Sequence, residues 1–79
     1  MLRRWRKDHS VPGRWDVETI TLRTRYNSTG DVRIHVTLTV TRVGHERAVT
    51  RAKFRSIIDV MDYADETDHY LLGDGWERA

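Results

Sequence analysis

The 79-residue chain has no cysteine, a single proline and a single phenylalanine, and its apolar residues never run together for long. Without cysteine there is no disulfide framework, which together with the lack of an apolar signal segment favours a reducing, cytoplasmic setting. No stretch approaches the ~20 apolar residues of a membrane span, so no membrane partner is expected. Catalytic signatures are missing as well. There is no glycine-rich phosphate loop. Ser10, Ser28 and Ser56 each sit at a turn or cap, with no nucleophile elbow around them. His9, His35, His45 and His69 are scattered, with no i, i+4 pair to hold zinc. Asp62 and Glu66 stand one helical turn apart without a positioned histidine, and the DETD run lacks the glycine and spacing of a calcium loop. The chain therefore reads as a non-enzymatic protein with neither metal nor cofactor. Its length suits one domain with a thin core, because small domains bury only about 60% of their unfolded surface.

What the chain does have is alternation. In residues 32–43, Val32, Ile34, Val36, Leu38 and Val40 are aliphatic while Arg33, His35, Thr37, Thr39 and Thr41 are polar, the two-residue period of a half-buried strand. Residues 15–26 are rich in β-branched and aromatic types and suit a second strand, with Ile20, Leu22 and Tyr26 on one parity and Thr19, Thr21, Arg23 and Arg25 on the other. Trp15 and Val17 fall on the polar parity. Either a bulge near Glu18 flips the register or these two cover the end of the open face. Asn27-Ser28-Thr29-Gly30-Asp31 has the chemistry of a hairpin turn, and Gly44-His45-Glu46 that of a second. The Asn27-Ser28-Thr29 triplet also matches a glycosylation acceptor, but the turn reading takes precedence without a signal segment.

Residues 47–54, RAVTRAKF, suit a strand or the beginning of a helix. Ser56 followed by Asp59 is the pattern in which a hydroxyl and a carboxylate satisfy the first free amides of a helix. Starting the helix after Ser56 leaves residues 47–54 as a third strand, with Ala48, Thr50, Ala52 and Phe54 inward and Arg47, Val49, Arg51 and Lys53 outward. From Ile57 onward, Ile57, Val60, Met61, Ala64 and Leu71 lie near one helical face, and Gly73 is a natural stop. Trp76, after the Asp74-Gly75 turn, is expected to fold back onto the domain. Residues 1–14, with Arg3, Arg4, Arg6 and Lys7 around Trp5 and then Pro12-Gly13, read as a flexible basic arm, and residues 15–79 as one domain. The expected architecture is α+β: a three-stranded antiparallel β-meander with one C-terminal helix packed on one face, in the order β-β-β-α.

Charge is unevenly distributed beneath a net +2. Residues 1–55 hold 13 Lys or Arg against 5 Asp or Glu, whereas residues 56–79 hold one Arg against 7 acids. Such asymmetry is a clue to partners, since like charges gathered on one surface attract the opposite kind. It is equally consistent with a basic sheet that attracts its own acidic helix.

The passage Ala52-Lys53-Phe54-Arg55-Ser56, coming after two hairpins, resembles in layout the three-stranded sheet plus helix of integrase arm-binding and plant AP2-type DNA-binding domains. The likeness spans roughly residues 15 to 70 and matches no family motif residue by residue. The same element order is similar to that of several small phage proteins, including some anti-CRISPR inhibitors, that bind other proteins. The leading expectation is a DNA-binding module. Arg23, Arg25, Arg33, Arg51 and Lys53 of the open sheet face would lie on phosphate, Thr37 and Thr39 near the groove, and Arg3, Arg4 and Arg6 would form an auxiliary arm. A three-stranded sheet is also able to enter the major groove. The alternative is a phage-like inhibitor or adaptor that binds a basic protein surface through the acidic helix residues Asp59, Asp62, Asp65, Glu66 and Asp68, or through a sheet edge. Unpaired edges, or the open face itself, could also join a second copy into a homodimer.

Overall fold

The alternation in the middle of the sequence is realised as sheet. The computed structural model describes residues 1–27 and 33–79. Among these, the elements follow as β1 (Leu2–Asp8), β2 (Val17–Asn27), β3 (Arg33–Arg42), β4 (Ala48–Phe54), α1 (Ile57–Gly73) and β5 (Glu77–Arg78). The strands form one antiparallel sheet in the order β4-β3-β2-β1-β5. The fold is thus α+β with one C-terminal helix, but the sheet has five strands rather than three. The turn expected over residues 27–31 lies, apart from Asn27, outside the described residues, as does Val32.

The two additional strands lie at the chain's ends, and the first replaces the expected arm. Leu2–Asp8 pairs with β2 along its whole length, from Leu2 opposite Arg23 to Asp8 opposite Val17. Pro12 and Gly13 form the turn of the connection between them. Arg14 N–H donates to the Val11 carbonyl at 2.9 Å and Gly13 takes a φ of 81°, the positive angle that glycine supplies without a Cβ clash. Trp5 opposes Ile20 and is only 1% exposed. Its neighbours on the same face, Arg3 and Lys7, are partnered by acids of the C-terminal half: Arg3 with Asp65 at 2.9 Å, Lys7 with the Asp74 carbonyl at 2.9 Å. A strand whose inward residues are Arg, Trp and Lys carries almost no aliphatic period. It can form part of a core only because a helix brings carboxylates to it.

Residues 48–54 are strand, as expected. Val36 opposes Ala52 and Ile34 opposes Phe54. The helix begins where the cap pattern places it, with Ser56 Oγ accepting from the Ile58 N–H at 3.1 Å and Asp59 in the first turn. It ends in the two-bond closure typical of a left-handed residue after a helix. Gly75 has a φ of 88°, its N–H donates to Leu72 O at 3.4 Å, and the Trp76 N–H donates to Leu71 O at 3.0 Å. Leu71 and Trp76, the residues this closure brings side by side, are both buried. Trp76 therefore does fold back, and β5 follows it onto β1.

The core lies between the helix and one sheet face: Trp5, Ile20, Leu22, Ile34 and Val36 against Val60, Ala64, Leu71 and Trp76. The helix buries a narrow stripe, so Met61, expected inside, is 46% exposed and Ile57 is also exposed. Tyr26 has the inward parity, opposite Ile34, but lies 61% exposed at the end of the sheet. The alternative at Glu18 is resolved too. Pairing runs without interruption from Glu18–Arg42 to Asn27–Arg33, so no bulge flips the register and Val17 keeps the polar parity.

Candidate nucleic-acid interface

Residues directly opposite one another on antiparallel strands share a face, so the register assigns every strand residue to a side. On the side facing away from α1, Arg25, His35 and Lys53 form one row across three strands, and Arg23, Thr37 and Arg51 form the next. Then come Arg4, Thr21, Thr39 and Val49, and after them Arg6, Thr19 and Thr41. Arg33, opposite Asn27, closes the end beyond Arg25. Arg23 and Arg51 therefore point the same way, each flanking Thr37. Among the described residues no element crosses this face, and the side chains of the two cationic rows border a recess of about 440 Å³ lined by Arg25, Tyr26, Asn27, His35, Thr37 and Arg51.

The arginines expected in a flexible arm divide by parity. Arg4 and Arg6 belong to the open face as strand residues, which adds a fourth strand to it. Arg3 does not, because its odd-numbered parity with Trp5 and Lys7 turns it to the helix and Asp65.

Counter-ions separate the two faces more sharply than charge count does. On the helix side, Arg3 pairs with Asp65, Lys7 lies 3.8 Å from Asp74, Arg78 pairs with Asp68 and Arg42 with Asp16. Asp68 is the anchor of this side. It accepts from Trp5 Nε1 at 2.9 Å and from Arg78 Nε and Nη2 at 2.9 and 2.6 Å. The Arg78 hydrogen bonds, followed by that of Trp5, hold its carboxyl far below the usual carboxylate range. Asp16, buried at the other end, accepts from Arg42 Nε and Nη2 at 3.0 and 2.8 Å, and this guanidinium holds its carboxyl below the ordinary value. On the open side, by contrast, Arg4, Arg23, Arg25, Arg51 and Lys53 form no ion pair among the described residues, and Arg6 has only Asp8 at 3.7 Å. The expectation that sheet and helix attract each other is thus met by one face, whereas Arg4, Arg23, Arg25, Arg51 and Lys53 of the other have no ion-pair partner among the described residues.

The acidic residues divide as well. Asp68, expected on the outer side of the helix, is turned inward, and Asp65 faces Arg3. Asp59, Asp62 and Glu66 are exposed and unpaired among the described residues. Trp15, for which the sequence left open a place at the end of the open face, lies just before β2. It borders a recess with Val17, Thr19, Thr41, Val43, His45 and Arg47, so it stands at the far end of the open face. Its shared parity with Val17 and Thr19 was the signal.

Among the described residues no three His, Asp or Glu side chains are grouped to hold a metal ion, and no helix is long and apolar enough to cross a membrane. Among the described residues, the fold is a small α+β one in which one helix covers one side of an antiparallel sheet and no element covers the other, cationic side. The chain matches no protein-family model, no curated protein and no solved structure.

Proposed function

We propose that this chain is a non-enzymatic nucleic-acid-binding module that uses the uncovered face of its sheet. The observation that carries the reading is the contrast in counter-ions. Four cations in two adjacent rows, Arg23, Arg25, Arg51 and Lys53, have no ion-pair partner among the described residues, although the same chain pairs Arg3, Lys7, Arg42 and Arg78 with acids on the opposite side. Uncompensated arginines raise the local potential and repel each other, a cost that a polyanion removes on binding. Arginine's planar fork donates two parallel hydrogen bonds to phosphate. Threonine hydroxyls at positions 37 and 39 offer short donors beside them, with little side-chain entropy to lose. Arg33, Arg4 and Arg6 extend the charged area along β3 and β1. This reading needs no arm, because Arg4 and Arg6 lie on the rigid sheet itself.

Binding of this kind releases counter-ions, so affinity falls as salt rises, with a log–log slope of about −0.7 to −0.9 per neutralised phosphate. Four contacts predict a slope of about −3 to −4. Fluorescence anisotropy of labelled single-stranded and duplex oligonucleotides between about 50 and 200 mM salt measures it. No association at the lower salt with either, or an affinity indifferent to salt, contradicts the proposal. The rival reading, a protein partner captured by Asp59, Asp62 and Glu66, rests on their exposure and on their having no ion pair among the described residues. It places the contact on the opposite side of the molecule.

A further inference from the structure

We infer that the nucleic acid taken by this platform is single-stranded and that Trp15 stacks on one of its bases. The inference rests on the cationic-face reading and adds to it a substrate class and a contact residue.

Width argues first. With β1 in the sheet, the open face is at least four strands across, and at about 4.8 Å per strand β1 and β4 lie about 14 Å apart before side chains are counted. The major groove of duplex DNA is about 12 Å wide. A two-stranded ribbon enters it, but this face does not. What remains is a broad surface on which a flexible strand can lie with its phosphates against the cations.

Trp15 is 71% exposed, whereas Trp5 and Trp76 are 1% and 8% exposed. A large aromatic surface is left in water at the one place where it adjoins the open face. Its recess of about 390 Å³ is bordered by Val17 and Val43, by the hydroxyls of Thr19 and Thr41, and by His45 and Arg47. That is an apolar ring with a cation beside it, the pairing that receives a base and its adjoining phosphate in single-strand binders. A duplex keeps its base faces stacked inside the helix and offers an indole nothing to stack on.

Between this recess and the Arg25–Arg51 recess, the floor is built from Thr19, Thr21, Thr37, Thr39 and Thr41. From Thr19 to Arg25 along β2 is about 20 Å at 3.4 Å per residue, room for several nucleotides. The platform thus has a charged end for the backbone, an aromatic end for a base and a hydroxyl path between them that Arg4 and Arg6 flank on β1.

Because the other two tryptophans are buried, Trp15 dominates any quenching that ligands cause. A thymidylate and a uridylate oligonucleotide and a duplex of the same length, at one low salt concentration, form the test. The expected result is that one or both single strands bind at least tenfold tighter than duplex and quench tryptophan emission. Trp15→Ala should weaken single-strand binding by about 5- to 150-fold, the loss of one stacked base, and leave duplex affinity unchanged, while Trp15→Phe restores most of the loss. Duplex binding as tight as single strand, or a Trp15→Ala variant that binds single strands like the parent, overturns this inference while leaving the cationic platform intact. Failure of every oligonucleotide to bind overturns the platform along with it.

Discussion

Replacing Arg23 and Arg51 together by glutamate is expected to reduce nucleic-acid affinity by on the order of 100-fold or more, since on the proposed function two phosphate contacts would become two like-charge encounters costing several kcal/mol in sum. The same change barely affects the fold. Both side chains are exposed and neither takes part in an ion pair among the described residues, and surface substitutions of this kind usually stay within ±0.5 kcal/mol. Anisotropy titration and a thermal melt on the same samples separate the two effects. An unchanged affinity in a folded double variant would remove Arg23–Thr37–Arg51 from the interface. Each charge flanks the same threonine, so their effects are expected to be coupled rather than additive.

Trp5→Ala is expected to be the most destabilising single substitution in the chain. Truncating a buried tryptophan costs about 3–5 kcal/mol, a large part of the 5–15 kcal/mol that holds a typical domain together. Here the ring packs in the core with Ile20 and Leu22 as neighbours across β2, and its Nε1 is one of the donors that fix Asp68. Removing it also loosens the hold of β5, because Trp5 opposes Arg78 and both donate to Asp68. Urea denaturation would show a greatly lowered midpoint or no folded baseline. A midpoint close to that of the parent would mean that Leu2–Asp8 is dispensable, as a loose basic arm would be.

The central hairpin and the helix were legible in the sequence because their signals are local. Strict alternation in residues 33–42 and the Ser56 cap each depend on a few adjacent residues, and the register that puts Arg23 and Arg51 on one face follows from parity alone. The first strand was not legible for the opposite reason. Leu2–Asp8 has one strongly apolar inward residue between Arg3 and Lys7, and those cations become acceptable inside only through Asp65 and Asp74, more than sixty positions away. Pro12-Gly13 did mark a turn, but a turn identifies a hairpin only when the strand before it is recognised. The helix illustrates a subtler limit. Ile57 and Met61 fall near the apolar stripe by spacing, yet the observed stripe runs through Val60, Ala64 and Leu71 and includes Asp68, a charged residue whose inward position is explained by Trp5 and Arg78. Of the candidate site, the three strands β2, β3 and β4 were foreseen in full. Arg3, Arg4 and Arg6 were expected together in an arm because parity was not applied to a segment taken as unstructured, and that step concealed that Arg3 faces Asp65 while Arg4 and Arg6 sit on the open face.

The exposed apolar and acidic surface of α1 makes the protein-binding alternative a distinct physical claim, because the two readings use opposite sides of the sheet. The most direct test is an amide chemical-shift titration of the isotopically labelled protein with a single-stranded oligonucleotide at low salt. The account predicts that the largest changes alternate along β2, β3 and β4, concentrated at Arg23, Arg25, Thr37, Thr39, Arg51 and Lys53, with Asp59, Asp62 and Glu66 unmoved. Changes confined to the helix, or none at all, would contradict it.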